Sequence, residues 1–253
     1  MKSVALILLF AWACSFHAQA APGDDVATLL KKGDALDKAL KTSEALDTYL
    51  EAQKLDPNNM EVLQRLSKEY GLSMTDVTDE ASRRERGMKA LDCAKRAAAM
   101  DGNNATNELA LAICYGRVAP YLDNKTKIAY SKLVKEHIDH SLKLDSTNDL
   151  AYFVLGSWNY ELANLNSILR VIASAIYGTL PSASNEAAAD CFKKALTLNP
   201  SRLSSYVELG RTYAAMKQKS LAQTNLKKGL EMTSHEKDDE FEKARARDAL
   251  QRL

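Results

Sequence analysis

A chain of 253 residues, 46% hydrophobic and 26% charged, is long enough to bury a sizeable core and polar enough to keep it in water. Its 34 basic and 33 acidic side chains nearly cancel, which excludes a general nucleic-acid binder, since that would carry a basic excess. Sustained alternation with β-branched residues is absent, so the composition reads as all-α rather than mixed.

Residues 1–20 read as an export leader that stands apart from the fold. Lys2 precedes an apolar run from Val4 to Ala13, and Ala18-Gln19-Ala20 supplies a small-x-small cleavage site before Ala21-Pro22. That run falls short of the roughly 20 apolar residues of a spanning helix. Cleavage is expected after Ala20, and the product is expected to be periplasmic or extracellular, or to lie in the secretory lumen if the host is a eukaryote. Membrane association is open, but no spanning helix points to it. Cys14 sits poorly as a lipid-attachment site because Trp12 occupies a position where a small residue is expected.

From Val26 onward one spaced set of residues returns five times. Gly33, Leu36, Ala45, Tyr49, Ala52 and Pro57 form the first set. Leu63, Leu66, Ser67, Tyr70, Ala90, Ala94, Ala97 and Gly102 form the second, and Leu111, Ala112, Tyr115, Val134, Ile138, Ser141 and Ser146 the third. The fourth is Tyr152, Leu155, Gly156, Ala188, Phe192, Ala195 and Pro200, and the fifth Tyr206, Leu209, Gly210, Tyr213, Ala222, Leu226, Gly229 and Ser234. This resembles the tetratricopeptide pattern, in which small slots let two antiparallel helices approach and large slots fill the space beside them. The expected units are 26–59, 60–104, 105–148, 149–202 and 203–236. Those longer than 34 residues carry their excess inside the helical hairpin. Ala45, Ala90, Ala188 and Ala222 must then be buried, or the register is wrong. Asp56-Pro57-Asn58-Asn59, Asp101-Gly102-Asn103-Asn104 and Asp145-Ser146-Thr147-Asn148 mark turns between units, with Asn available to cap the next helix. Residues 237–253 are highly charged but keep Phe241, Ala244, Leu250 and Leu253 at near-helical spacing, as a capping helix would.

The excess of the fourth unit contains Leu165, Ile168, Leu169, Ile172 and Ile176, an extra helix over 165–177 that is apolar around most of its circumference. It is expected either to plug the concave face as core or to wall a pocket for an apolar ligand. The tetratricopeptide resemblance implies that the first helix of each unit lines that concave face. There Leu109, Ile113, Leu150, Phe153, Tyr160 and Val207 read as a continuous apolar strip, with Ser157 among them and Arg117 or Arg211 placed to pair with a carboxylate.

No Gly-rich phosphate loop, nucleophile elbow or H-E-x-x-H motif occurs, so the chain is expected to be no enzyme and to need no cofactor. His137 and His140 share a helix face, but no third ligand accompanies them and no metal site is expected. Cys93, Cys114 and Cys191 read as buried free thiols.

Leu155-Gly156-Ser157-Trp158-Asn159-Tyr160, Leu165, Arg170, Ala173, Tyr177-Gly178, Leu180-Pro181-Ser182, Ala187 and Phe192-Lys193-Lys194-Ala195 resemble the signature of the regulator of microtubule dynamics family. The family's usual W-I-E-R reads Ser167-Ile168-Leu169-Arg170 here. The resemblance implies an all-helical scaffold associated with microtubules or membranes, without catalytic residues. For an exported chain only the fold and the scaffold role carry over. The expected function is therefore a non-enzymatic exported scaffold holding a protein or peptide in its concave groove. The alternative is a carrier of a lipid or small apolar ligand, in a pocket between units three to five and the 165–177 helix.

Overall fold

The computed structural model describes residues 22–253, and the expected leader lies outside the described residues. Twelve α-helices follow one another, with no strand among the described residues. Helices α1 (Pro22–Lys38) and α2 (Thr42–Leu55) form the first antiparallel hairpin; α3 (Met60–Ser73) with α4 (Glu80–Met100) and α5 (Ala105–Val118) with α6 (Asn124–Leu144) form the next two. Helix α7 (Asp149–Ala163) pairs with α9 (Asn185–Leu198) across the inserted α8 (Ser167–Tyr177). Helices α10 (Leu203–Ala215) and α11 (Lys219–Glu231) make the last hairpin, and α12 (Asp239–Gln251) packs on both.

Close approach within each hairpin follows from the small slots. A Cβ on Gly33 would lie 2.3 Å from Tyr49 Cε1, and one on Gly156 would lie 2.7 Å from Phe192 Cε1, so the facing ring occupies the space a side chain would need. Ala45, Ala90, Ala188 and Ala222 are all at most 1% exposed, so the register passes its own test. The hairpins are closed in two ways. Where nothing is inserted the turn is tight, and Leu40 and Lys217 take left-handed φ values of 59° and 61° to close it. Where residues are inserted, single 3₁₀ turns at Met74–Asp76 and Ala119–Tyr121 precede second helices of 21 residues, against 14 in their partners.

Between units the chain turns on side-chain hydrogen bonds that the sequence supplies. Asp101 Oδ1 accepts from the Asn103 amide (3.0 Å), and Asp145 Oδ1 from that of Thr147 (2.9 Å). Asn59, Asn104 and Asn148 then accept from amides in the first turn of α3, α5 and α7. The first helices α3, α5, α7 and α10 touch in succession, whereas no two of the second helices pack on each other so extensively. That asymmetry curves the stack and puts the first helices on its concave side.

Helix α8 does not plug that side. Its buried Ala173 faces the extended α6, and Tyr177 Oη donates to Ser131 Oγ at 3.1 Å. The added length of α6 gives α8 a surface that no neighbouring unit covers. Ile168 and Val171 stay 67% and 71% exposed, so the apolar circumference is only partly used.

Candidate functional site

The concave side is built of charged and amide groups joined from helix to helix. Arg65 on α3 grips Asp34 on α1 with two bonds, Nε to Oδ1 at 2.7 Å and Nη2 to Oδ2 at 3.0 Å, which holds the Asp34 carboxyl below the usual carboxylate range. Lys68 Nζ lies 2.5 Å from Asp37 Oδ2, and Gln64 Nε2 donates to Asn107 Oδ1 at 2.7 Å. On α5, Arg117 Nη1 donates to the Gly71 carbonyl (3.2 Å), and its Nη2 pairs with Asp238, in the segment leading into α12. Lys237 beside it reaches Asp76 Oδ1 at 2.7 Å, and Glu236 Oε1 lies 3.6 Å from Arg202 Nη1. The segment before α12 thus bridges the last unit to the second and third.

Beneath this bridge Glu69 is fully buried, and neither of its carboxyl oxygens has a hydrogen-bond partner. Burial, reinforced by the Asp37 charge, pushes its carboxyl up to about 8, against the opposing pull of Lys68 and Lys237. Asp238 Oδ1 is a second buried oxygen without a partner at this place. Farther along, Arg211 stacks over the Tyr160 ring at 5.1 Å and grips Glu208 at 2.7 and 2.8 Å. Arg245 from α12 meets the same Glu208 at 2.8 Å and Glu242 at 2.9 Å. Burial pushes Glu242 up to about 7, against the pull of Arg245 and with the Glu208 charge adding to it.

The nine residues expected on the groove fare unequally. Val207 is fully buried against α11 and Leu109 is 6% exposed, so neither offers a surface to a partner. Leu109, Ile113 and Leu150 belong to the core between α4 and α7, while Phe153 and Tyr160 pack with Phe192 and Leu209. Phe153 lies 5.8 Å from Phe192, ring to ring. The expected continuous apolar strip is therefore divided among separate cores, because each first helix spends those side chains on the hairpin beside it. Ser157 Oγ donates to its own helix at the Phe153 carbonyl (3.0 Å). What the structure does bring together is Tyr160 with Arg211, and Arg117 with a carboxylate, here one supplied by the chain itself.

Sequence reasoning missed Glu69, Asp76, Lys237 and Asp238. Two of them lie in or next to the inserted hairpin and two in a charged tail, where the repeat pattern assigns no slot. Elsewhere the singled-out residues have structural partners. His137 Nδ1 and His140 Nδ1 both face Glu108 Oε2, at 2.7 and 3.3 Å. Trp158 Nε1 donates to the Ser131 carbonyl (2.9 Å). The three thiols are free, and burial pushes those of Cys93 and Cys191 up to about 11, far from a reactive thiolate. Phe241, expected on the packing side of the terminal helix, is instead exposed under Arg245, and Ala246 takes the buried place.

Among the described residues no helix is long and apolar enough to cross a membrane, and no cluster of side chains forms a metal site. A curved stack of helical hairpins with a charged concave face defines a tetratricopeptide-type scaffold. The fold agrees with that of a thermophilic tetratricopeptide protein from Thermus thermophilus, with a TM-score of 0.64 at 17% identity, covering 89% of this chain and 99% of that one. Residues 29–253 match the family described as Regulator of microtubule dynamics protein 1-3, and the chain belongs to it. Regulator of microtubule dynamics protein 1 of Bos taurus is 27% identical over 217 residues, covering 85% of this chain and 68% of that protein. The human protein of the same name is 29% identical over 163 residues, covering 64% and 52%. Regulator of microtubule dynamics protein 3 of Xenopus laevis is 28% identical over 179 residues, covering 70% and 39%. Scaffold fold and regulator-named relatives together suggest a non-enzymatic protein-interaction role.

Proposed function

We propose that this protein is a non-enzymatic scaffold that holds a protein or peptide on its concave side, and that it works outside the cytoplasm after loss of residues 1–20. One observation carries the binding reading. The concave side is a ladder of ionic and amide groups on successive first helices, and Arg117 there already grips a carboxylate from the turn that leads into α12. Such a ladder suits an extended polar peptide, whose backbone and charged side chains can exchange partners with it.

The test is capture by the purified mature protein from its own compartment. Arg117→Glu together with Arg211→Glu is expected to abolish capture, while Lys227→Glu, on the exposed face of α11, leaves it intact. Capture unaffected by the concave pair would overturn the reading. A lipid retained through native mass spectrometry, with no peptide captured, would replace it by the carrier reading. Amino-terminal sequencing of the exported protein is expected to begin at Ala21.

A further inference from the structure

The loop before α12 is short, charged and rigidly made. Its backbone is fixed by Asp239 Oδ2, which accepts from the His235 and Glu236 amides at 2.8 Å each. Two consecutive side chains then leave the loop for the concave side: Lys237 toward Asp76 and Asp238 toward Arg117. Their receptors sit at the carboxyl-terminal ends of α3 and α5, in units two and three, and the Arg117–Asp238 contact joins positions 121 residues apart. A solenoid needs no such contact to stack, since each unit is stabilised by its immediate neighbours.

The seat is also imperfectly filled. Asp238 uses only Oδ2 on Arg117 and leaves its buried Oδ1 without a donor. Below it, fully buried Glu69 lacks a partner for either carboxyl oxygen. Buried polar atoms normally find partners, and one left alone is destabilising. Two such groups in one seat mark a place built for polar contact that its present occupant does not complete.

We propose that the carboxyl-terminal ends of α3 and α5 form a recognition seat for a peptide bearing a basic residue followed by an acidic one, and that Lys237-Asp238 is its resting occupant. Asp76 takes the cation, Arg117 takes the carboxylate, and the Gly71 carbonyl holds the Arg117 fork in place. A partner supplying the same dipeptide, with a hydrogen-bond donor toward Glu69, displaces the loop and satisfies what the loop leaves unpaired. The proposal rests on the concave-side reading given above and specifies its ligand and its control.

A fluorescein-labelled synthetic peptide with the sequence of residues 234–241 tests it against the full-length protein. Lys237→Ala with Asp238→Ala empties the seat without touching Asp76, Glu69 or Arg117. That variant is expected to bind the peptide at least tenfold more tightly than the unaltered chain, and a peptide with Lys and Asp exchanged is expected to bind weakly to both. In the unaltered chain, excess peptide is expected to speed hydrogen exchange at the His235 and Glu236 amides, a measurement that needs no substitution. Equal affinity for both proteins, with exchange unchanged, overturns the resting occupancy and leaves the concave-side reading standing. Binding to neither protein, while the variant keeps its helical circular dichroism, overturns the seat itself and the concave-side reading for this stretch. Equal binding of the exchanged peptide overturns the basic–acidic order.

Discussion

Glu69 keeps its proton at a pH where most glutamates have lost theirs, and the reason is its burial on α3, reinforced by the neighbouring Asp37. Its folded value of about 8 stands above the ordinary 4.5, so the unfolded chain releases this proton first as pH rises. The contribution to stability is complete below pH 4.5 and is lost as pH climbs through 8. Glu69→Gln removes this titration, and between pH 5 and 8 its thermal midpoint is expected to fall less than that of the parent, the remaining fall coming from Glu242. Denaturation curves at both pH values check this, and a fall of equal size in the two proteins refutes it. Repeat spacing identifies the small and aromatic slots well, because their roles are steric and local. It says nothing of Glu69, whose environment is made by Asp37 from the unit before and Lys237 from the far end of the chain.

At the scale of helices, the caps and hairpins follow from local chemistry. Asn59, Asn104 and Asn148 cap as their turns demand, and the inserted lengths appear as longer second helices because they fall within hairpins. Helix α8 shows where periodicity stops being informative. A helix apolar on most sides fits several surfaces, and its 11 residues chose the overhanging part of α6 rather than the concave side. The attachment is made by buried Ala173, the half-buried Leu169, Ile172 and Ile176, the Tyr177–Ser131 bond and an Arg170 bond to the Ala163 carbonyl. Ala173→Arg is expected to release α8 while sparing the hairpins. Amides of residues 167–177 should then exchange faster, with those of α5 and α6 still protected. Unchanged protection in α8 would show that it is held by more than these contacts.

For the whole molecule, the junction between the fourth and fifth units is a place where the stack can part. Asp149 accepts from Asn199 Nδ2 (3.1 Å) and pairs with Arg202, whose side chain is only 12% exposed. Asp149→Ala leaves that guanidinium with only the more distant, exposed Glu236 carboxylate, at a cost of about 1–3 kcal/mol. Urea unfolding is expected to lose its single transition, with α10–α12 leaving before the rest, because stacked units are coupled mainly to their neighbours. A single transition with an unchanged midpoint would show that the bridge from Lys237 and Asp238 to units two and three carries the coupling instead.

The order of small and large residues determined that the chain would be helical, would pair its helices and would stack them, since each of those outcomes depends on spacing within a few turns. It also carried the family resemblance, through the run around Gly156 and Tyr177 where both the close approach and the inserted helix are written. Which apolar side chains stay open to solvent was decided only in three dimensions. Val207 and Leu109 occupy slots that read as open, yet the packing of α11 and α12 closes over Val207 and the core between α4 and α7 takes in Leu109. The charged concave ladder joins residues from neighbouring units, and the loop lying across it joins Arg117 to Asp238, 121 positions apart; no local pattern in a sequence specifies such a meeting.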